Sequence, residues 1–192
     1  MKYKNKIFDG IELKGNSFEN NFFSKCSFSK SNLRYSNFNK CTFDTCDFSG
    51  AIFDNTGFSD CLFPESKLSN IDFSEAHIKN CDFSKSVVNN SIFQQKKLAD
   101  KNKNDKFDLR KCIFDNTSLE NTIFIKCNLK SVSFKNAKLK LAIFEKCNLS
   151  EVDFTGAEIR GANFNTSSIN KTIIDIDGFI SMGNSKGFVL NT

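Results

Sequence analysis

The sequence predicts an all-β fold, a square-sided solenoid of about eight coils carrying one loop insertion. Three observations carry this expectation. A large apolar residue recurs at every fifth position from Phe8 to Leu98 and, one residue out of phase, from Leu109 to Ile174. A small residue, such as Cys41, Ala51, Thr56 or Ser66, stands two positions before most of the large ones. The positions between are rich in Asn, Asp, Ser, Lys and Gly, which suit turns and water.

A step of five fits neither the 3.6-residue period of a helix nor the two-residue period of a half-buried strand. Two inward residues in five, one large and one small, make sense if each pentapeptide is one short side of a square. Residues twenty apart then become vertical neighbours at the strand spacing of about 4.8 Å. Phe23, Phe43, Phe63 and Phe83 form one such stack, and Phe124, Phe144 and Phe164 another. Eight coils at that spacing give a rod about 40 Å long.

The composition agrees with this interior. There are 23 Phe against 2 Tyr and no Trp, the choice expected where a core needs volume but offers no partner to an indole or phenol. All eight cysteines, from Cys26 to Cys147, fall on the ladder of small residues. They are expected to be reduced and buried as small apolar groups. No two of them have the close spacing of a zinc site.

Taken in order, the first coil block spans residues 6–98. Lys96 falls at a small inward position, where an unpaired charge is costly, which argues that the regular repeat ends before Leu98. Residues 99–108 are the expected loop insertion, in the charged stretch QQKKLADKNKNDKFD. Long loops are frequent contact elements, so Lys97, Lys101, Lys103, Asp105, Lys106 and Phe107 are candidate partner contacts. The second coil block spans 109–175, with Ile123, Ile125 and Ile143 facing outward as a further candidate patch. Residues 176–192 end the rod; an open solenoid end must be capped or paired. Phe179, Ile180, Met182, Phe188, Val189 and Leu190 are therefore candidates for a cap or a dimer interface. The whole chain reads as a single solenoid domain.

Charge and chemistry narrow the function. The net charge is +5, with both signs interspersed, which makes a poor phosphate-tracking groove and argues against direct nucleic-acid binding. No apolar run approaches the length of a membrane span, and the opening residues lack the apolar core of a signal peptide; a cytoplasmic protein is expected. His77 is the one histidine and falls at an outward position. No triad, metal cluster or phosphate-binding glycine loop appears. No enzymatic activity, cofactor or metal is expected.

The units CDFSG (46–50), SNLRY (31–35), CNLKS (127–131), CNLSE (147–151), AEIRG (157–161) and ANFNT (162–166) resemble the pentapeptide-repeat family, with its A(D/N)LXX pattern, over roughly residues 6–175. The resemblance implies a right-handed quadrilateral β-helix; the period of five alone does not set the hand. It implies a non-enzymatic interaction scaffold whose protein partner is unknown. Stand-alone members of about this length include the Qnr-type quinolone-resistance proteins, which implies, as the alternative, a modulator of a type II DNA topoisomerase with the loop as contact element. A DNA mimic calls for a negative surface, and this chain is positive.

Overall fold

The computed structural model describes residues 1–8, 13–94 and 106–191. The chain forms a right-handed quadrilateral β-helix that is nearly all β. In chain order the strands are β1 (Lys2–Lys4), β2 (Ser17–Glu19), β3 (Phe22–Ser24), β4 (Asn37–Asn39), β5 (Thr42–Asp44) and β6 (Gly57–Ser59). They continue with β7 (His77–Lys79), β8 (Ile92–Gln94), β9 (Phe107–Asp108), β10 (Ile123–Ile125), β11 (Cys127–Asn128) and β12 (Ile143–Glu145), and a helix α1 (Ile176–Ser185) ends the rod.

All strand pairing is parallel, and each strand meets the one a coil above it. The sheets run β1-β3-β5, β2-β4-β6-β7, β8-β10-β12 and β9-β11. Paired strands reach at most four coils deep. Elsewhere the coils meet through single bridges, and one side has these alone, along Ile7, Ser27, Asp47, Lys67, Val87, Ser118, Lys138 and Glu158. A side of five residues that must also turn a corner leaves only two or three for extended pairing. Hydrogen bonds alternate up and down the stack: the Phe43 N–H donates to the Leu62 carbonyl at 2.8 Å, and the Leu62 N–H to the Cys41 carbonyl at 3.0 Å.

Corners recur at every fifth residue, and most use the left-handed region of backbone space. Non-glycine corners have φ between 51° at Lys40 and 68° at Lys111. At Gly50, with φ 69°, the Ala51 N–H donates to the Phe48 carbonyl at 2.9 Å. A positive φ at the third position of such a turn marks type II. Asparagine tolerates this conformation better than most residues, and Asn55, Asn70, Asn80, Asn90, Asn116, Asn121 and Asn136 all stand at corners.

Inside, rings stack face to face up one side and meet edge to face around the coil. From Phe23 the column continues through Phe43 (4.9 Å between centroids) and Phe63 (5.1 Å) to Phe83 (4.9 Å). It then passes to Phe114, Phe134 and Phe154. Phe114 and Phe124, on opposite sides of the coil, lie at 84°, a favourable quadrupole arrangement. The small ladder also admits β-branched residues, since Ile71, Val132 and Val152 are buried on it. Inward hydroxyls donate to carbonyls of the coil below, as Thr56 does to Leu33 at 2.7 Å and Ser66 to Phe43 at 2.6 Å. Among the described residues no buried side-chain polar atom lacks a partner, so the polar members of the ladder carry no desolvation penalty.

The interruption falls within one coil. Stacked neighbours are twenty residues apart below and above it, as in Ile123↔Ile143, but Ile92 pairs with Ile123 across it. The excess of eleven residues equals the length of 95–105, outside the described residues. Three sides carry the ladder straight across, through Asp82↔Ile113, Val87↔Ser118 and Ile92↔Ile123. On the fourth side, among the described residues, β7 pairs with β6 alone and β9 with β11 alone. The expected loop boundary at residue 108 is thus corrected: Phe107 and Asp108 already belong to the coil as β9.

Candidate interaction site

Of the candidate loop contacts, Lys97, Lys101, Lys103 and Asp105 lie outside the described residues. Lys106 is exposed. Phe107 is not available to a partner, because it stands at a small inward position below Cys127 and is buried, its ring 6.4 Å from that of Phe93. The phase of the second ladder, carried back two residues from Leu109, contained the signal; the charges around Phe107 hid it. Beside it Asp108 accepts two hydrogen bonds from Arg110 Nε and one from Nη2, the last at 2.7 Å. These hold the Asp108 carboxyl below its usual range.

The C-terminal end brings the other candidates together. Asp175 caps α1, its Oδ1 accepting from the Gly178 N–H at 2.8 Å while Oδ2 accepts from the Gly156 N–H at 2.6 Å in the coil below. The two backbone donors hold the Asp175 carboxyl below its ordinary value. The helix itself was not anticipated: two glycines and a short apolar pattern hid it, and tertiary docking through Gly178, buried against Ile174, offsets that weak propensity. Gly187, at φ 84°, reverses the chain after the helix, and the Phe188 N–H returns to the Gly183 carbonyl at 3.1 Å.

This reversal sets Phe188, Val189 and Leu190 beside Phe179, Ile180 and Met182 around an apolar concavity of about 420 Å³. Ile180 and Met182 are half-buried, and Met182 packs on the core. Phe179 is exposed, while Phe188 and Val189 are 73% and 91% exposed. The sequence did not mark Ile169 as a surface residue, because it stands on the inward ladder. It is nevertheless 53% exposed, because α1 covers the corner near Ile174 and leaves this side of the last coil open. The rod's own helix is thus an incomplete cap.

His77 is exposed on β7. Among the described residues no group of three His, Cys, Asp or Glu side chains can hold a metal. All eight cysteines are free and buried, and burial pushes the Cys46 and Cys112 thiols up to about 12, so these two stay protonated at neutral pH. Among the described residues no helix is long and apolar enough to cross a membrane.

Comparisons with known proteins agree with this architecture. A profile described as a pentapeptide repeat region matches residues 36–103 and 105–174, and one described as pentapeptide repeats (9 copies) matches 8–62. No curated protein sequence matches the chain. Among solved structures, a trypsin-treated variant of QnrB1, described as a plasmid-mediated fluoroquinolone resistance protein, shares the fold at a TM-score of 0.53. Its identity is 17%, over 100% of this chain and 98% of that one. HetL, involved in heterocyst differentiation regulation in the cyanobacterium Nostoc, aligns at a TM-score of 0.41 and 15% identity, over 91% of this chain and 90% of its own.

Proposed function

This chain belongs to the pentapeptide-repeat family, and from that premise we propose that it is a non-enzymatic scaffold that binds a protein partner and that two copies join at their C-terminal ends. The observation that carries this reading is the apolar concavity at the C-terminal end, lined by the exposed Phe179, Phe188, Val189 and Leu190. Apolar surface left in water at a solenoid terminus is stabilised by a matching surface, and a two-fold contact presents the same patch twice. The buried, unpaired thiols suit a reducing, cytoplasmic setting.

Sedimentation of the full chain tests the assembly. A dimer is expected for the native protein at micromolar concentration, and a monomer with an unchanged circular dichroism spectrum for the double variant Phe188→Asp, Val189→Asp. A native protein that sediments as a monomer throughout that range removes the C-terminal joint.

A second reading makes the partner a type II topoisomerase. It is supported by the fold shared along the whole length of both chains with QnrB1, and opposed by the net charge of +5, which does not imitate DNA. Gyrase supercoiling in the presence of a quinolone decides it. Relief of inhibition at micromolar protein supports this reading; no relief withdraws it and leaves the scaffold with another partner.

A further inference from the structure

We propose that the outer face carrying Ile92, Ile123 and Ile143 docks an amphipathic helix of a partner protein, lying along the rod axis, its apolar stripe flanked by acidic residues. The proposal rests on the scaffold reading and gives the partner its chemistry. Three coils each contribute one isoleucine in direct register, Ile92↔Ile123 and Ile123↔Ile143, and Ile125 stands beside the middle one on β10. The ridge is bounded, since Asp72 follows below Ile92 and Asn163 above Ile143. Ile143 is 37% exposed; Ile92, Ile123 and Ile125 are half-buried.

Leu141, at the corner leading into this face, gives an independent indication. It is held at φ 59°, a conformation that a bulky side chain rarely adopts, and it is 51% exposed. The corner below it is Asn121 and the corner above is Gly161. A Cβ at Gly161 would come within 2.7 Å of Leu141 Cδ2, so the glycine makes room for the leucine to lie along the rod. Neither burial nor backbone preference favours leucine here. An apolar contact beside Ile143 does.

The spacing of the ridge selects the occupant. Coils repeat at about 4.8 Å. A helix laid along the axis advances about 5.4 Å per turn and meets one isoleucine per turn through positions i, i+3 or i+4, and i+7. An extended segment repeats its facing residues at about 6.8 Å and loses register after one step. Charge selects its flanks. Lys126 and Lys146 stand at the trailing corner, and Lys140 and Arg160 on the leading side above Glu120; Glu145 is already paired with Lys146 at 3.1 Å. These four cations outnumber the two acids, Glu120 and Glu145, around the aliphatic stripe, and the net positive flanks match a helix with acids on its shoulders. A second copy of this chain does not supply one, because α1 has a single acidic residue, Asp177.

The test uses the full chain with labelled isoleucine and leucine methyl groups. The probe is a synthetic peptide of about four helical turns, with leucines at the stripe positions and glutamates on both shoulders. Two controls replace the glutamates by lysines or shuffle the leucines off the stripe. Shifts are expected at the methyls of Ile92, Ile123, Ile125, Ile143 and Leu141, with both controls and the Ile143→Lys variant binding at least about tenfold more weakly. Leu141→Asn should weaken binding likewise without lowering Tm, since asparagine suits the corner. Still methyls, indifference to flank charge, or a Leu141→Asn variant that melts lower would overturn the proposal. Shifts confined to the C-terminal end would also overturn it while leaving the scaffold reading standing. A protein that fails the oligomer and gyrase tests can still pass this one.

Discussion

Phe43 meets rings above, below and to either side, so its removal is felt in two directions. Phe43 is fully buried, stacked on Phe23 and Phe63 and edge-on to Phe38 and Phe48. The coils are held by hydrogen bonds to the layers above and below and cannot collapse far into a void. Phe43→Ala is therefore expected to cost about 3–5 kcal/mol, the range for a large aromatic deleted from a packed core. Thermal or urea melts measure it, and a change near zero would mean that the coil closes over the cavity. Outward residues obey the opposite rule. His77 donates its backbone N–H to the Thr56 carbonyl at 2.8 Å, a bond that a side-chain substitution leaves in place.

At the scale of the element, α1 depends on one carboxylate that ties it to the coil below. The Asp175 carboxyl lies below its ordinary value of 3.8, first because the Gly178 N–H donates to it and next because the Gly156 N–H does. A carboxyl depressed in the folded state contributes stability at pH above the unfolded value and loses it as pH falls through the folded one. Docking of the helix should therefore weaken as pH drops below about 3.8, the ordinary value of this group. Asp175→Ala should remove the cap at neutral pH, read as faster amide exchange at Gly178 and Gly156. Asp175→Asn should keep the protection at Gly178, since asparagine also caps, lose it at Gly156, whose N–H would then face an amide NH2 that cannot accept, and lose the acid dependence. Unchanged exchange in Asp175→Ala would show that packing of Gly178 and Met182 suffices alone.

For the whole molecule the decisive feature is continuity across the interruption. Phe93 stacks on Phe124 at 5.0 Å and Phe83 on Phe114 at 5.1 Å, much as rings stack elsewhere in the rod. Residues on either side of 95–105 thus already occupy neighbouring places of one coil, and excising that stretch returns the twenty-residue repeat. Because closure entropy changes by only about 0.6 kcal/mol per doubling of loop length, the excised chain should melt within about 2–4 °C of the native one. Unfolding on excision would mean that the two halves depend on the removed residues for their contact. If a partner bound to the native chain is retained by the excised one, the contact lies on the rod.

Whatever repeats was legible in the order of residues: the step of five, the inward places of Phe43 and Cys81, the outward place of His77, and an interruption near residue 100. These follow from geometry local to a pentapeptide, in which the same side chain meets the same surroundings at every turn, so that a pattern of types is enough. Tertiary structure alone decided what happens where the repeat fails. Phe107 turned inward because Cys127 and the rest of its coil lie above it. Residues 176–185 became a helix because Asp175 found the Gly156 N–H nineteen residues back. Ile169, on the ladder like any core residue, stayed in water because α1 leaves that side uncovered. Ile92 joined the stack of Ile123 and Ile143 only when eleven intervening residues were passed over. Each of these depends on contacts between residues far apart in the chain, and a period carries no information about where it ends.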